Sequence, residues 1–388
     1  MNFEFDSINE RKNTNSYKWD SLEKDDIIPL WVADMDFKTA PCIIEALKKR
    51  VEHGIFGYTR VPDEYYEATI EWFSSRHGLK IKKEEIIYTS GVVPAISATI
   101  KALTKPGDNV LVQTPVYNCF FSSIRNNGCN ISENHLIYEN NTYQIDFEDF
   151  ERKASDPKTK LFLLCNPHNP TGRVWTREEL TRLGDICLKH NVIIVSDEIH
   201  CEIVFKPHKY VPFASISDTY HQNSVTCCSP SKAFNIAGLQ IANIFAENKD
   251  IRQAIDKAIN INEVCDVNPF GVIALIEAYT NGKEWLSQMI EYVYNNYLFI
   301  KEIIDKKLPG FSLATMQGTY LAWLDCSILN IPSEKIVNHL MNNHKVYVNS
   351  GELYHDPSDR FIRINLATPR KLLEEGMNRI VAGLWSLK

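Results

Sequence analysis

A lysine set among small hydroxyl residues, Ser229-Pro230-Ser231-Lys232, follows the apolar run Val225–Cys228. An amine there could form a Schiff base while the hydroxyls bind a phosphate; a solvated surface lysine is the plainer reading. Asp197 follows another apolar run, Val192–Val195. A carboxylate in such a place is costly unless something answers its charge, and a protonated ring nitrogen, a helix cap or a salt bridge would each serve. His200, three residues on, could approach a ring oxygen or the lysine, or be a structural histidine. Asn166-Pro167-His168-Asn169-Pro170-Thr171-Gly172 carries two prolines and a glycine, which restrict the backbone and aim Asn169 rigidly.

Ser90-Gly91-Val92-Val93 closes one strand and opens a helix, where free N–H groups suit a phosphate. No G-x-G-x-x-G or Walker lysine accompanies it, so the usual nucleotide loops are absent. Tyr117, after Thr114-Pro115, could stack on a flat ring, and Tyr58, in Gly57-Tyr58-Thr59, could reach a phosphate across a dimer interface. Either could equally be core. Arg363 stands inside the apolar stretch Phe361–Asn365 and needs an anion there: a substrate carboxylate held bidentately, or a structural salt bridge. His168, His200 and Cys201, with Cys227 and Cys228, show no Cys-x-x-Cys or His-x-x-x-His spacing, so no metal is expected.

The elements that must position these groups alternate between strand and helix. Short apolar runs at Ile86–Thr89, Val110–Gln113, Leu161–Cys165, Val192–Val195, Val225–Cys228 and Ile241–Phe245 read as strands. Helices are expected over Thr39–Gly54, Asp63–His77 and Thr176–His190, the last opened by a Thr176/Glu179 capping box. Near-continuous apolar strands separated by helices imply a mostly parallel sheet covered on both faces, whose ligands sit beyond the carboxyl ends of the strands. The chemistry-bearing clusters all follow strand ends. Beyond about residue 280 a long helix, Lys283–Leu308, leads into strand-like Gly318–Asp325, a helix from Ser333, strand-like Phe361–Asn365 and a last helix, which read as a smaller α+β unit.

The composition agrees with an enzyme or a sizeable binding protein. The chain has 388 residues, 44% hydrophobic, with a net charge of −7 and no strongly basic half, which argues against nucleic acid as a partner. The N-terminus does not read as a signal peptide, and no apolar run approaches the ~20 residues of a membrane helix. The ten cysteines are scattered, mostly within apolar runs, as reduced core thiols of a cytoplasmic protein would be.

Taken in order, Asn166–Gly172, Ser196-Asp197-Glu198-Ile199-His200 and Ser229–Lys232 resemble the fold-type I aminotransferase superfamily, whose cofactor is pyridoxal 5′-phosphate (PLP). More narrowly, Trp31-Val32-Ala33-Asp34-Met35-Asp36-Phe37, Gly54–Thr59, Thr114–Tyr117, Asp197–Glu202, Ser231–Leu239 and Gln317–Asp325 resemble its cystathionine β-lyase (carbon–sulfur lyase) branch, the MalY/PatB group. The resemblance implies an α/β fold: a large PLP-binding domain (40–282) with a mostly parallel seven-stranded sheet between helices, and a smaller α+β domain built from 1–39 and 283–388. It makes Lys232 the aldimine-forming lysine and Asp197 the partner of the ring nitrogen. Asn169 would bond the ring oxygen, Tyr117 stack on the ring and His200 lie beside it. Gly91, Val92, Val93, Ser229 and Ser231 would hold the phosphate, with Tyr58 from a second subunit. Arg363, with Asn169, Trp31 and Ala33, would bind the amino-acid substrate.

The implied reaction is β-elimination from L-cysteine S-conjugates, through an external aldimine and a quinonoid, to a thiol, pyruvate and ammonia. The implied assembly is a homodimer with shared active sites. An aminotransferase would use the same residues, and a regulatory protein could keep the same fold. Two positions depart from the family pattern: Gln240 stands where many aminotransferases have a phosphate-binding arginine, and 351–360 lacks the usual glycine-rich stretch.

Overall fold

A computed structural model of the chain describes residues 3–22, 26–261, 266–355 and 359–388. Its centre is a seven-stranded sheet. In chain order the strands are β1 (Ile86–Thr89), β2 (Asn109–Thr114), β3 (Asn130–His135), β4 (Thr159–Cys165), β5 (Ile193–Asp197), β6 (Ser224–Cys228) and β7 (Ala242–Phe245). In space the order is β1-β7-β6-β5-β4-β2-β3. Only β7 runs antiparallel to its neighbours; the remaining pairs are parallel.

Period two explains why these strands read as unbroken apolar runs. Val110, Val112, Leu161 and Leu163 point into one core with Phe120 and Ile251, while Leu111, Phe162 and Leu164 point into another with Trp175, Leu180 and Leu183. Both faces are buried, so each residue in turn must be apolar. Within the large sheet, the strand that sequence reasoning missed is β3, Asn-Ile-Ser-Glu-Asn-His. It lies at the sheet edge with mixed exposure and therefore has no such requirement.

The helices stand close to expectation. Pro41–His53 and Asp63–His77 each stop at a glycine in the left-handed region, Gly54 at φ 74° and Gly78 at φ 68°, a conformation that costs any residue with a Cβ. The capping box forms: Thr176 N–H donates to Glu179 Oε2 (2.8 Å) and Glu179 N–H to Thr176 Oγ1 (3.2 Å). The long helix spans Lys283–Lys307. A second sheet, antiparallel throughout, orders its strands Ser312–Leu313, Leu321–Asp325, Phe361–Asn365 and Asn349–Ser350.

The irregular segment 31–37 joins the second sheet to the stretch that follows the lysine. Asn365, fully buried, donates from Nδ2 to the carbonyls of Val32 and Asp34 (both 2.6 Å) and accepts from Ala367 N–H (2.8 Å). Asn235, three residues after Lys232, donates to Met35 O (2.9 Å) and Phe37 O (2.8 Å) and accepts from Met35 N–H. Beneath lies an ion cluster. Lys18 Nζ, fully buried, is 2.8 Å from Asp36, and Arg11 bridges Asp34 (2.7 Å) and Asp36 (2.8 Å). Together these hold Asp36 well below the usual carboxylate range against its own burial.

Replacing Asn365 by Ala removes both Nδ2 donations and the acceptor of Ala367 N–H, leaving Val32 O only Asp34 N–H (2.9 Å) and Asp34 O only the long contact to Lys18 (3.5 Å). Urea unfolding should show a loss of about 2–3 kcal/mol, with faster amide exchange across 31–37; a loss under about 0.5 kcal/mol would mean that the segment is held otherwise.

Candidate active site

Five strand ends converge on one edge of the large sheet. Asp197 ends β5, opposite Cys165 of β4 and Cys227 of β6. The Asn166–Gly172 turn follows β4, Ser229–Lys232 follows β6, Tyr117 follows β2 by three residues, and Ser90-Gly91 follows β1. Between them lies a cavity of about 180 Å³. Among its lining residues are Ala33, Gly91, Val92, Val93, Tyr117, Asn169, Asp197, His200, Ser231, Lys232 and Gln240.

Asp197 is 4% exposed. It accepts one hydrogen bond, from Ile199 N–H (3.1 Å), and has no ion-pair partner within 4 Å among the described residues. Burial pushes its pKa up to about 7, and the neighbouring Glu198 adds to the rise, against the pull of the Ile199 amide and Lys232. Glu198 faces other donors: the Ser196 hydroxyl (2.8 Å), the Tyr210 hydroxyl and Phe213 N–H (3.0 Å). The two adjacent acids thus differ. One is satisfied by the protein, the other is not.

Lys232 Nζ donates to Ala33 O (2.7 Å), which also receives the Tyr320 hydroxyl (2.9 Å). Burial lowers the lysine pKa, opposed by Asp34 and Asp197 and reinforced by Arg363. That shift raises the share of free amine, the nucleophilic and basic form. His200 is buried with its Nδ1 lacking a partner, and burial drops its pKa to about 3, so its ring is neutral. Its edge meets Tyr320 at 5.9 Å between ring centres.

Arg363, 3% exposed, donates from Nη1 to Asn169 Oδ1 (3.1 Å) and from Nη2 to Trp31 O (2.9 Å). Its Nε has no partner, and its guanidinium lies 5.1 Å from the Tyr354 ring centre. With Oδ1 of Asn169 engaged, the amide Nδ2 is left to donate elsewhere. Val92 and Val93 begin the helix Val92–Leu103, whose N-terminus carries no side-chain cap. Their amides are available to an anion.

Four expected residues stand apart from the cavity lining: Arg363, which meets it only through Asn169, and three others. Ser229 Oγ donates to Ile241 O (2.6 Å) and accepts Ser231 N–H (3.0 Å), serving the turn itself. The Trp31 ring packs on Tyr17 and Tyr347, so that only its carbonyl meets Arg363. Tyr58 is 98% exposed in the single chain. Sequence reasoning gave no role to Tyr320, Asn235 or Asn365. A buried amide within an apolar strand, as at Asn365, was the available signal. Of the 351–360 loop, Gly351–Tyr354 forms a single turn, while 356–358 lie outside the described residues. Two groups of potential metal-ligating side chains, His77–Cys201–Glu202 and Glu85–His221–Glu247, lie outside the cavity lining.

The donor set fits a flat ring bearing a cationic nitrogen and an anionic phosphate. An unanswered buried carboxylate, an orphaned imidazole nitrogen, a free helix N-terminus and an amine of lowered pKa share one small space. The ligand-free chain bears the cost of Asp197. An acid raised from 3.8 to about 7 by folding destabilises the fold above pH 7, and that cost falls as the pH drops towards 4. Asp197→Asn should therefore stabilise cofactor-free protein by a few kcal/mol at pH 8 and by less at pH 5, read from urea midpoints. Equal effects at both pH values would show that Asp197 is not raised.

A family model described as aminotransferase class I and II matches residues 25–380. The chain is 41% identical over 384 residues to cystathionine beta-lyase PatB of Bacillus subtilis, covering 98% of this chain and 99% of that protein. Cystalysin from Treponema denticola, solved with pyridoxal 5′-phosphate, superposes with a TM-score of 0.97 at 34% identity, covering 100% of both chains. A PLP-bound C–S lyase from Staphylococcus hominis superposes at 0.92, also at 34% identity, over 98% of this chain and 99% of that one. With this coverage and the ring-and-phosphate cavity at its strand ends, the chain belongs to the aminotransferase class I and II family and has the fold of its PLP-dependent enzymes.

Proposed function

We propose that this chain is a PLP-dependent carbon–sulfur β-lyase, cleaving L-cysteine S-conjugates to a thiol, pyruvate and ammonia. The carrying observation is the cavity that gathers Lys232, the unanswered Asp197 and Arg363's neighbour Asn169, in a chain 41% identical to a named cystathionine beta-lyase. PLP, when bound, supplies an electron sink beside the substrate Cα. The chain's own groups do the rest. Asp197 would keep a proton on the ring nitrogen, meeting there the cation that none of the described residues provides. Lys232, with its lowered pKa, serves as the cofactor-linking amine and then as the base that takes the Cα proton. Arg363, fixed by Asn169 and Trp31 O, receives the substrate carboxylate. Asn169 Nδ2 would donate to the ring oxygen, and Tyr117 and neutral His200 line the space that the ring would fill. The Val92 and Val93 amides and the Ser231 hydroxyl would hold the phosphate. Gln240, lining the same space, offers an uncharged amide where many relatives have arginine.

The same reading divides the chain at 40–282 and assigns 1–39 with 283–388 to the smaller domain; the separate antiparallel sheet supports it. We further propose a homodimer in which Tyr58 reaches the partner's phosphate site. Its 98% exposure, beside exposed Ile55 and Phe56, supports a buried role in an assembly. The nine cysteines among the described residues form no disulfide, which supports a cytoplasmic location. None of the described helices is long and apolar enough to cross a membrane.

The alternative is an aminotransferase, favoured by the family to which the chain belongs. Cystathionine incubated with the PLP-loaded protein should yield pyruvate without added keto acid, and Lys232→Ala should reduce that rate about 10³-fold or more. Amino transfer that requires a keto acid, with no pyruvate released, would establish the aminotransferase instead.

A further inference from the structure

The rim of the large sheet opposite the cavity gathers Glu85, His221 and Glu247. Glu85 ends the single turn Lys83–Glu85 ahead of β1, His221 belongs to the short helix Asp218–Gln222 ahead of β6, and Glu247 follows β7 by two residues. Because β7 runs antiparallel to β1 and β6, its end meets their beginnings. One ligand atom from each of the three side chains lies within 4.8 Å of the other two.

These atoms converge without bonding to one another. Glu85 is 2% exposed, and its buried Oε2 has no hydrogen-bond partner among the described residues; nor has His221 Nε2. The two stand 3.2 Å apart but are not aligned as donor and acceptor. A carboxylate oxygen and an imidazole nitrogen, each ~2.1 Å from one zinc ion and ~100° apart around it, would be separated by about 3.2 Å. Glu247 brings a second carboxylate. Lys82 Nζ meets it at 3.0 Å and Glu85 at 3.4 Å, on Oε1, which leaves Oε2 unanswered. One ammonium thus faces two carboxylates. The cluster His77–Cys201–Glu202 differs: Glu202 accepts from Trp72 Nε1 (2.6 Å) and Arg76 Nε and lies 2.7 Å from His77 Nε2, so its carboxylate is satisfied.

We propose that Glu85, His221 and Glu247 bind a divalent transition-metal cation, Zn²⁺ above all, away from the catalytic cavity. An imidazole in the set favours zinc over Mg²⁺ and Ca²⁺, which prefer oxygen ligands throughout. Three protein ligands leave a fourth position for water, reached past the part-exposed Glu247. The cation displaces Lys82 Nζ into the solvent, where most of that side chain already lies. It ties β1, β7 and β6, three neighbours in the sheet, at one rim. The site does not depend on the lyase reading.

The test is calorimetric titration of ZnCl₂ into untagged, chelator-treated, PLP-loaded protein. One saturable site is expected, and MgCl₂ at the same concentrations should give none. Glu247→Gln and His221→Ala should each weaken zinc about tenfold or more, and Lys82→Ala should tighten it a few-fold by removing the competing ammonium. Glu247→Gln keeps the shape of the most exposed ligand, so it reads the site even where His221→Ala fails to fold. No saturable zinc binding, or zinc affinity unchanged in Glu247→Gln, would overturn the site; the second result would place the metal elsewhere, on cysteine thiols for example.

Discussion

Asp197 closes β5 with one backbone donor, no ion-pair partner among the described residues and 4% of its surface exposed. Burial holds it near a pKa of 7, where the protein gains least from its charge. The sheet leaves few other places for such a group. Strands with two buried faces carry few polar side chains along their length, Thr226 and Asn243 among them, so charged groups collect where the strands end. The apolar core and the site are therefore two aspects of one arrangement. Residues that could not be tolerated within the sheet stand at its edge, and one of them is left wanting a cation.

The second constraint is the hold on segment 31–37. It carries the carbonyl that receives Lys232 and the carbonyl that orients Arg363, yet it has no helix or strand of its own. Four of its carbonyls are met by two asparagines, one from the antiparallel sheet and one from just beyond the lysine. Arg363 sits two residues before Asn365 on the same strand. Lysine, arginine and the strap between them are consequently fixed by a single hydrogen-bonded set, which links both sheets to the site.

Much of this was legible in the sequence. The parallel strands announced themselves because two buried faces demand apolar residues at each position, and edge strand β3 did not because that demand lapses at the rim. Asp197 and Arg363 stood out as charges beside or within apolar runs, Lys232 for the hydroxyl residues around it, and Asn169 for the prolines and glycine that restrict its turn. Tyr320, Asn235 and Asn365 did not, because their work depends on where segment 31–37 passes, a meeting of parts 287, 200 and 333 residues apart in the chain. Trp31 was expected to meet substrate, but its ring turns to Tyr17 and Tyr347 while its carbonyl faces the arginine. Tyr58 acquires a partner only if a second copy brings one.

The role of Asp197 rests on its meeting a cation that none of the described residues supplies. Nitrogen-15 NMR of the protein loaded with ring-labelled PLP reads that charge directly. A ring nitrogen that stays protonated from pH 6 to 9, and loses its proton near neutrality in Asp197→Asn, is the predicted result. An unprotonated nitrogen at pH 7 in the unaltered protein would contradict it.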